Sequence, residues 1–177
     1  MAKQWQDELI SELLEDSEAP KFLLETARDP RFLEVLKTFG SKPTYVNFDS
    51  SEGALKQLYR VVKDEEGVGG KFWSPSKPPK TEAEWRARDA VRNDWNRGGA
   101  YVTADVPPPE AAFIGEIGPQ NLKGGGHHGY YLEGGGTQIF APQSPAKNIE
   151  YWYTEWNAPV DAVQAARKAG TTNECDL

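Results

Sequence analysis

The sequence predicts an α+β domain: small, twisted, mainly antiparallel sheets preceded by a helical N-terminal segment. Three observations predict it. Up to residue 42 the apolar residues recur at helical spacing. From Pro43 onward the chain changes to short alternating or β-branched runs cut by glycine and proline. Within that second part, Gly134-Gly135-Gly136 separates an aromatic run (Tyr130, Tyr131, Leu132) from Thr137-Gln138-Ile139-Phe140, which reads as strand, turn or bulge, strand.

The helical part is read first. Trp5, Leu9, Ile10, Leu13 and Leu14 fall on one face of a helix over 3–16, with acids opposite. Glu18-Ala19-Pro20 interrupts it. Phe22, Leu23, Leu24 and Ala27 form a second helix ending before Asp29-Pro30. Pro30 opens a third, with Phe32, Leu33, Val35, Leu36 and Phe39 apolar and Gly40 as its stop. Residues 1–42 form a cap or a docking segment, the cap being favoured; 43–170 form the main domain and 171–177 a loose tail.

In the main domain, Thr44–Phe48 reads as a strand and 52–57 as a helical turn. Leu58-Tyr59-Arg60-Val61-Val62 alternates as a strand should, placing Arg60 with Leu58 and Val62. Arginine is almost never fully buried unless paired, so Arg60 calls for an anionic partner, in a ligand or in a structural salt bridge. A glycine turn over 67–70 leads to Lys71-Phe72-Trp73-Ser74-Pro75. Thr81 with Glu84 three residues later reads as a capping box. The helix it opens carries Trp85, Ala87, Ala90, Val91 and Trp95 and ends at Asn96-Arg97-Gly98-Gly99, with Arg86, Arg88 and Arg92 on a solvated face. Ala100–Val106 and Ala111–Ile117 read as strands, and Ile149–Trp156 as an aromatic strand that closes the sheet. Val160–Ala169 reads as a terminal helix.

Composition limits the chemistry. The chain has 177 residues, a formal net charge of −7 and no basic block, which argues against nucleic acid as the partner. Six Trp, seven Tyr and seven Phe supply buried area and pocket walls. Cys175 is the single cysteine, so no intrachain disulfide forms. No apolar leader opens the chain and no apolar run reaches membrane length, so a soluble protein is expected, and any export uses a route without a cleavable leader. There is no phosphate-cradling Gly-x-x-x-x-Gly-Lys-Ser/Thr loop and no Cys/His metal spacing. His127 and His128 sit in glycine-rich sequence, where a pair of exposed histidines usually does neither metal nor proton chemistry. What remains is a strand arginine, abundant aromatics, an arginine cluster and Gln138 after a glycine turn. Alternation sends Gln138 and Ile139 to opposite faces, which puts one amide at the floor of a cleft; the plainer alternative is a glycine-rich hairpin with an exposed Gln. Such a set suits a dianionic, aromatic-ended ligand: arginine binds pyrophosphate bidentately, and rings such as Trp73 and Tyr101 stack on nicotinamide or adenine.

Tyr59-Arg60, Phe72-Trp73-Ser74-Pro75, Val106-Pro107, Gly118-Pro119-Gln120 and Gly134-Gly-Gly-Thr-Gln138-Ile-Phe together resemble the C-terminal toxin domains of bacterial polymorphic and contact-dependent toxins. The chain is similar in particular to the NAD-glycohydrolase family typified by the tuberculosis necrotizing toxin, and more distantly to ADP-ribosyltransferases. The resemblance covers residues 58–142. It implies an ADP-ribosyltransferase/NADase-like fold and cleavage of the nicotinamide–ribose bond of NAD or NADP, with no cofactor beyond that substrate. It implies a protective immunity protein and an exported effector acting in the target cytosol. By position it assigns Arg60 to phosphate and Gln138 to the reacting end as the catalytic pair. Tyr59, Trp73, Ser74, Tyr101, Gly136 and Arg86 (or Arg88) would complete the ligand site, while the family's histidine matches neither His127 nor His128. Gln138 cannot act as a general base, which tilts the expectation to hydrolysis. The alternatives are a mono-ADP-ribosyltransferase toxin using Glu133 or Glu116, and a non-catalytic binding module.

Overall fold

The computed structural model describes residues 4–47, 57–62, 70–91, 99–105, 111–121, 131–142 and 147–157. Three short helices come first: α1 (Gln4–Glu15), α2 (Lys21–Arg28) and α3 (Arg31–Leu36). Pro20 and Pro30 stand at the N-caps of α2 and α3, both with φ −55°. Proline fits there because the ring pre-sets that angle and its missing N–H has no helical partner to lose. α1 buries Leu9 and Leu13, α2 Leu23 and Ala27, and α3 Phe32 and Leu36.

The strands follow as β1 (Thr44–Asn47), β2 (Leu58–Val62) and β3 (Phe72–Trp73). After helix α4 (Glu82–Arg88) come β4 (Ala100–Asp105), β5 (Ala111–Glu116) and β6 (Gln120–Asn121). β7 (Tyr131–Leu132), β8 (Thr137–Phe140) and β9 (Lys147–Tyr153) complete the described chain. One four-stranded sheet runs β1-β5-β8-β3, a three-stranded sheet runs β2-β4-β9, and β6-β7 form a ribbon. All these pairings are antiparallel. The α+β architecture with a helical N-terminal segment and antiparallel sheets is the one the sequence predicts.

A three-residue segment joins the two larger sheets. Trp73 pairs with Ile139 of β8, while the next residue, Ser74, exchanges backbone hydrogen bonds of 2.8 and 2.7 Å with Tyr59 of β2. Leu58, Val62, Trp73, Val102, Ala112 and Ile139 belong to one buried cluster. The helices share a second cluster with the four-stranded sheet, through Leu9, Leu23, Phe32, Leu36, Phe39, Phe113 and Phe140. Phe113 is its hub: its ring centroid lies 5.2 Å from that of Phe32, 5.7 Å from Tyr45 and 6.3 Å from Phe140.

Four local expectations change. α4 ends at Arg88 rather than near residue 96, and Ala90 follows in the left-handed region at φ 47°. β7 and β8 do not form a hairpin with each other; they pair in different sheets. α3 ends at Leu36, and Phe39 instead makes a bridge to Ile117. Arg86, expected on a solvated face, is 5% exposed, because Glu82 one turn earlier takes its guanidinium at 2.6 Å and Val91 offers a carbonyl at 3.2 Å. β9 lies beside β4 as the outer strand of its sheet, with every residue exposed. The helical turn over 52–56, the turn over 67–69, Arg92, Trp95, His127, His128, the helix at 160–169, the tail and Cys175 lie outside the described residues. Among the described residues no helix is long and apolar enough to cross a membrane.

Phe113 tests whether the helices and the sheet form one cooperative unit. Phe113→Ala should cost about 3–5 kcal/mol in urea unfolding, with α-helical and aromatic signals melting together.

Candidate functional site

The site is built around the glycine triplet. Gly134 and Gly135 take φ values of 75° and 85°, a region that glycine enters without steric cost. A side chain at 134 would also place its Cβ 2.4 Å from the Ile117 carbonyl oxygen. In this conformation the triplet reaches the open end of α4: Gly134 N–H donates to Ala87 O and Gly136 N–H to Arg88 O, each at 2.9 Å. Helix C-termini leave carbonyls without helical partners, and here a strand connection satisfies two of them. Gly135 N–H donates to Ile117 O at 2.9 Å, and Ile117 N–H to Gly136 O at 2.8 Å. The helix therefore ends where the glycines capture it, which explains its early stop.

These contacts leave a cleft of about 320 Å³. Tyr59, Arg60 and Val61 of β2 line it, with Phe72, Trp73 and Ser74. Trp85, Arg88 and Asp89 of the α4 end, Thr137 and Gln138 of β8, Ile117 and Thr38 line it as well. The sequence expectation that Arg60 and Gln138 look into a common pocket thus has its geometric counterpart.

Arg60 is half-buried, and burial pulls its guanidinium below the usual arginine range. Its Nη1 donates to the Phe72 carbonyl at 2.7 Å. The head group lies over Gly70, where an added Cβ would stand 1.9 Å from Arg60 Cζ. Gln138 is 9% exposed, not an exposed hairpin residue, and its Nε2 donates to Thr38 Oγ1 at 2.8 Å. Ile139 lies on the opposite face in the apolar cluster, as strand alternation requires. Arg88 is held by its neighbour Asp89 through Nε–Oδ1 at 2.6 Å and Nη2–Oδ2 at 2.9 Å, a hydrogen-bonded pair that pushes the Arg88 pKa up.

Of the eight residues expected at the site, Arg60, Gln138, Tyr59, Trp73 and Ser74 line the cleft. Trp73 is 3% exposed, so its ring belongs to the core and has little free face for stacking; its Nε1 has no hydrogen-bond partner among the described residues. Three others stand off the lining. Arg86 is taken up by Glu82 and lies over the Trp85 ring, 4.9 Å from its centroid. Tyr101 packs its ring 6.3 Å from that of Tyr59, beneath Lys77. Gly136 acts through its backbone on Arg88. Glu116 and Glu133 are exposed and do not line the cleft. Sequence reading missed Thr38, Trp85 and Asp89. Thr38 had a usable signal, an uncharged hydroxyl between the apolar residues Leu36 and Phe39 that end the third helical pattern. Among the described residues no group of His, Cys, Asp and Glu could hold a metal ion.

No protein-family model matches the chain, and no curated protein matches it. Among solved structures, that of Tne2 in complex with Tni2 is similar over 65% of this chain and 92% of that chain, at 16% identity and a TM-score of 0.47.

The fit of the glycines onto α4 is open to measurement. A Cβ at Gly136 would lie 2.7 Å from Asp89 Oδ1 and 2.9 Å from Arg88 O. Gly136→Ala should therefore cost about 1–3 kcal/mol in denaturant unfolding, and wild-type stability would show that the approach is not tight.

Proposed function

We propose that the cleft holds the nicotinamide end of NAD or NADP and that the protein is a toxin-type NAD(P)+ glycohydrolase. The observation that supports it is the meeting of Arg60 from one sheet and Gln138 from the other in a single aromatic-walled cleft. Its volume of about 320 Å³ is at the small end of ligand pockets, which run from roughly 300 to 1,000 Å³. It suits the nicotinamide-ribosyl group, with the rest of the dinucleotide running past Arg60.

In this reading Arg60 grips pyrophosphate, its guanidinium plane set by the Phe72 carbonyl. Tyr59, Trp73 and Ser74 shape the wall beside it. Gln138 holds a ribose hydroxyl or the attacking water. The bond to nicotinamide breaks through an oxocarbenium-like state; water adds to the ribose carbon, nicotinamide leaves as a neutral base, and one proton goes to solvent. Orientation and exclusion of water supply the acceleration, since Gln138 has no titratable group near neutral pH. The exposed positions of Glu116 and Glu133 favour hydrolysis over transfer to a protein. A cell making such a toxin needs an immunity protein, and the cleft is the place for it to block.

Purified protein incubated with NAD and a cell lysate should release free nicotinamide without labelling lysate proteins. Labelled protein would point to the transferase, and unconsumed NAD and NADP to a non-catalytic module. Gln138→Ala should lower turnover by about tenfold or more with the fold intact. Arg60→Ala should raise KM by about 10- to 150-fold, equivalent to about 1.5–3 kcal/mol; an unchanged KM would remove Arg60 from the ligand site.

A further inference from the structure

A carboxamide can present either its oxygen or its NH2 to a ligand, and a half-turn about its last bond exchanges the two. Thr38 removes that freedom. A threonine hydroxyl has one proton, and Thr38 Oγ1 commits it to the Val35 carbonyl at 2.7 Å. Toward Gln138 the same oxygen can then only accept, and Gln138 Nε2 donates to it at 2.8 Å. The flipped amide would set Oε1 against an oxygen with no proton between them, a contact of two acceptors.

The backbone holds both partners in place. The Thr38 carbonyl accepts from Gly118 N–H at 2.8 Å, and Gly40 N–H donates to the Glu116 carbonyl at 2.8 Å. Residues 38–40 are thus fastened to the end of β5, the strand whose Gly115 pairs with Gln138. Gly115 itself has no room for a side chain: a Cβ there would stand 2.9 Å from the Phe39 ring. The amide and its hydroxyl partner therefore sit on one rigid frame.

We infer that Thr38 is a positioning residue that fixes Gln138 with Oε1 as a hydrogen-bond acceptor offered to the cleft. The group Gln138 binds is then a proton donor: a sugar hydroxyl, or a water that donates one hydrogen to Oε1 and keeps a lone pair free for attack. This rests on the reading of Gln138 as a substrate-facing residue, and it extends the site into the N-terminal helical segment.

The test compares Thr38→Val, which keeps the shape and removes the hydroxyl, with Thr38→Ser, which keeps the hydroxyl. In nicotinamide release from NAD, Thr38→Val should lower kcat by about tenfold while KM stays within about twofold, and Thr38→Ser should remain within about twofold of wild type in both. A wild-type kcat in Thr38→Val, or an equal loss in Thr38→Ser, overturns the inference. A second readout does not depend on turnover. Exchange of the Gln138 carboxamide protons, followed by NMR, should be slow in wild type and Thr38→Ser and faster in Thr38→Val. If wild type releases no nicotinamide, the proposed function fails, and the exchange rates alone decide the inference: equal rates in all three proteins sink it.

Discussion

The capture of the end of α4 by the glycine triplet is the constraint on which the site depends. Two glycine N–H groups close the helix, and a third ties the same turn to the residue that follows β5. Each such bond contributes modestly on its own, but an unsatisfied buried carbonyl is costly, so helix and turn stabilise one another. Only residues free to adopt positive φ at 134 and 135, and small enough to touch the Arg88 carbonyl at 136, can make the contact. Once it is made, Arg88, Asp89 and Trp85 line one cleft with Thr137 and Gln138.

The part of the lining that β2 supplies depends on a different device. Two strands of unlike sheets need a shared neighbour, and Phe72 to Ser74 supplies it by pairing first with β8 and then with β2. Where the sheets part, polar side chains stand at the border of an apolar interior. Arg60 is placed there by a glycine beneath it and a carbonyl beside it, so a charge is kept close to the core without full burial. Local dielectric is lower there than in bulk water, which strengthens whatever anion contact the guanidinium makes.

Most of the element inventory was legible in the sequence because it is written in local periodicity. The i, i+4 spacing of Leu9 and Leu13, the alternation of Leu58 to Val62, and the capping threonine at 81 all appear as the sequence suggests. Arg60 is legible as a charge breaking an apolar strand pattern, and Gln138 as the polar side chain that follows the glycine triplet. What the sequence hid was long-range. The partners of β7 and β8 lie in β6, β5 and β3, so a turn flanked by two strands looked like a hairpin. The stop of α4 is imposed by glycines far along the chain, and no residue near 88 announces it. The pairing of Arg86 with Glu82, by contrast, was present as an i, i+4 spacing and was overlooked in favour of a solvated face.

The stacked rings of Trp85 and Trp156, 5.8 Å apart and 19° from parallel, have an optical consequence. Indoles this close absorb and emit as a coupled pair, and one of the two forms part of the cleft wall. Trp85 is 3% exposed, with Trp156 stacked on it and Arg86 over its ring, so the light the pair gives back is a chromophoric gauge of the packing behind the cleft wall.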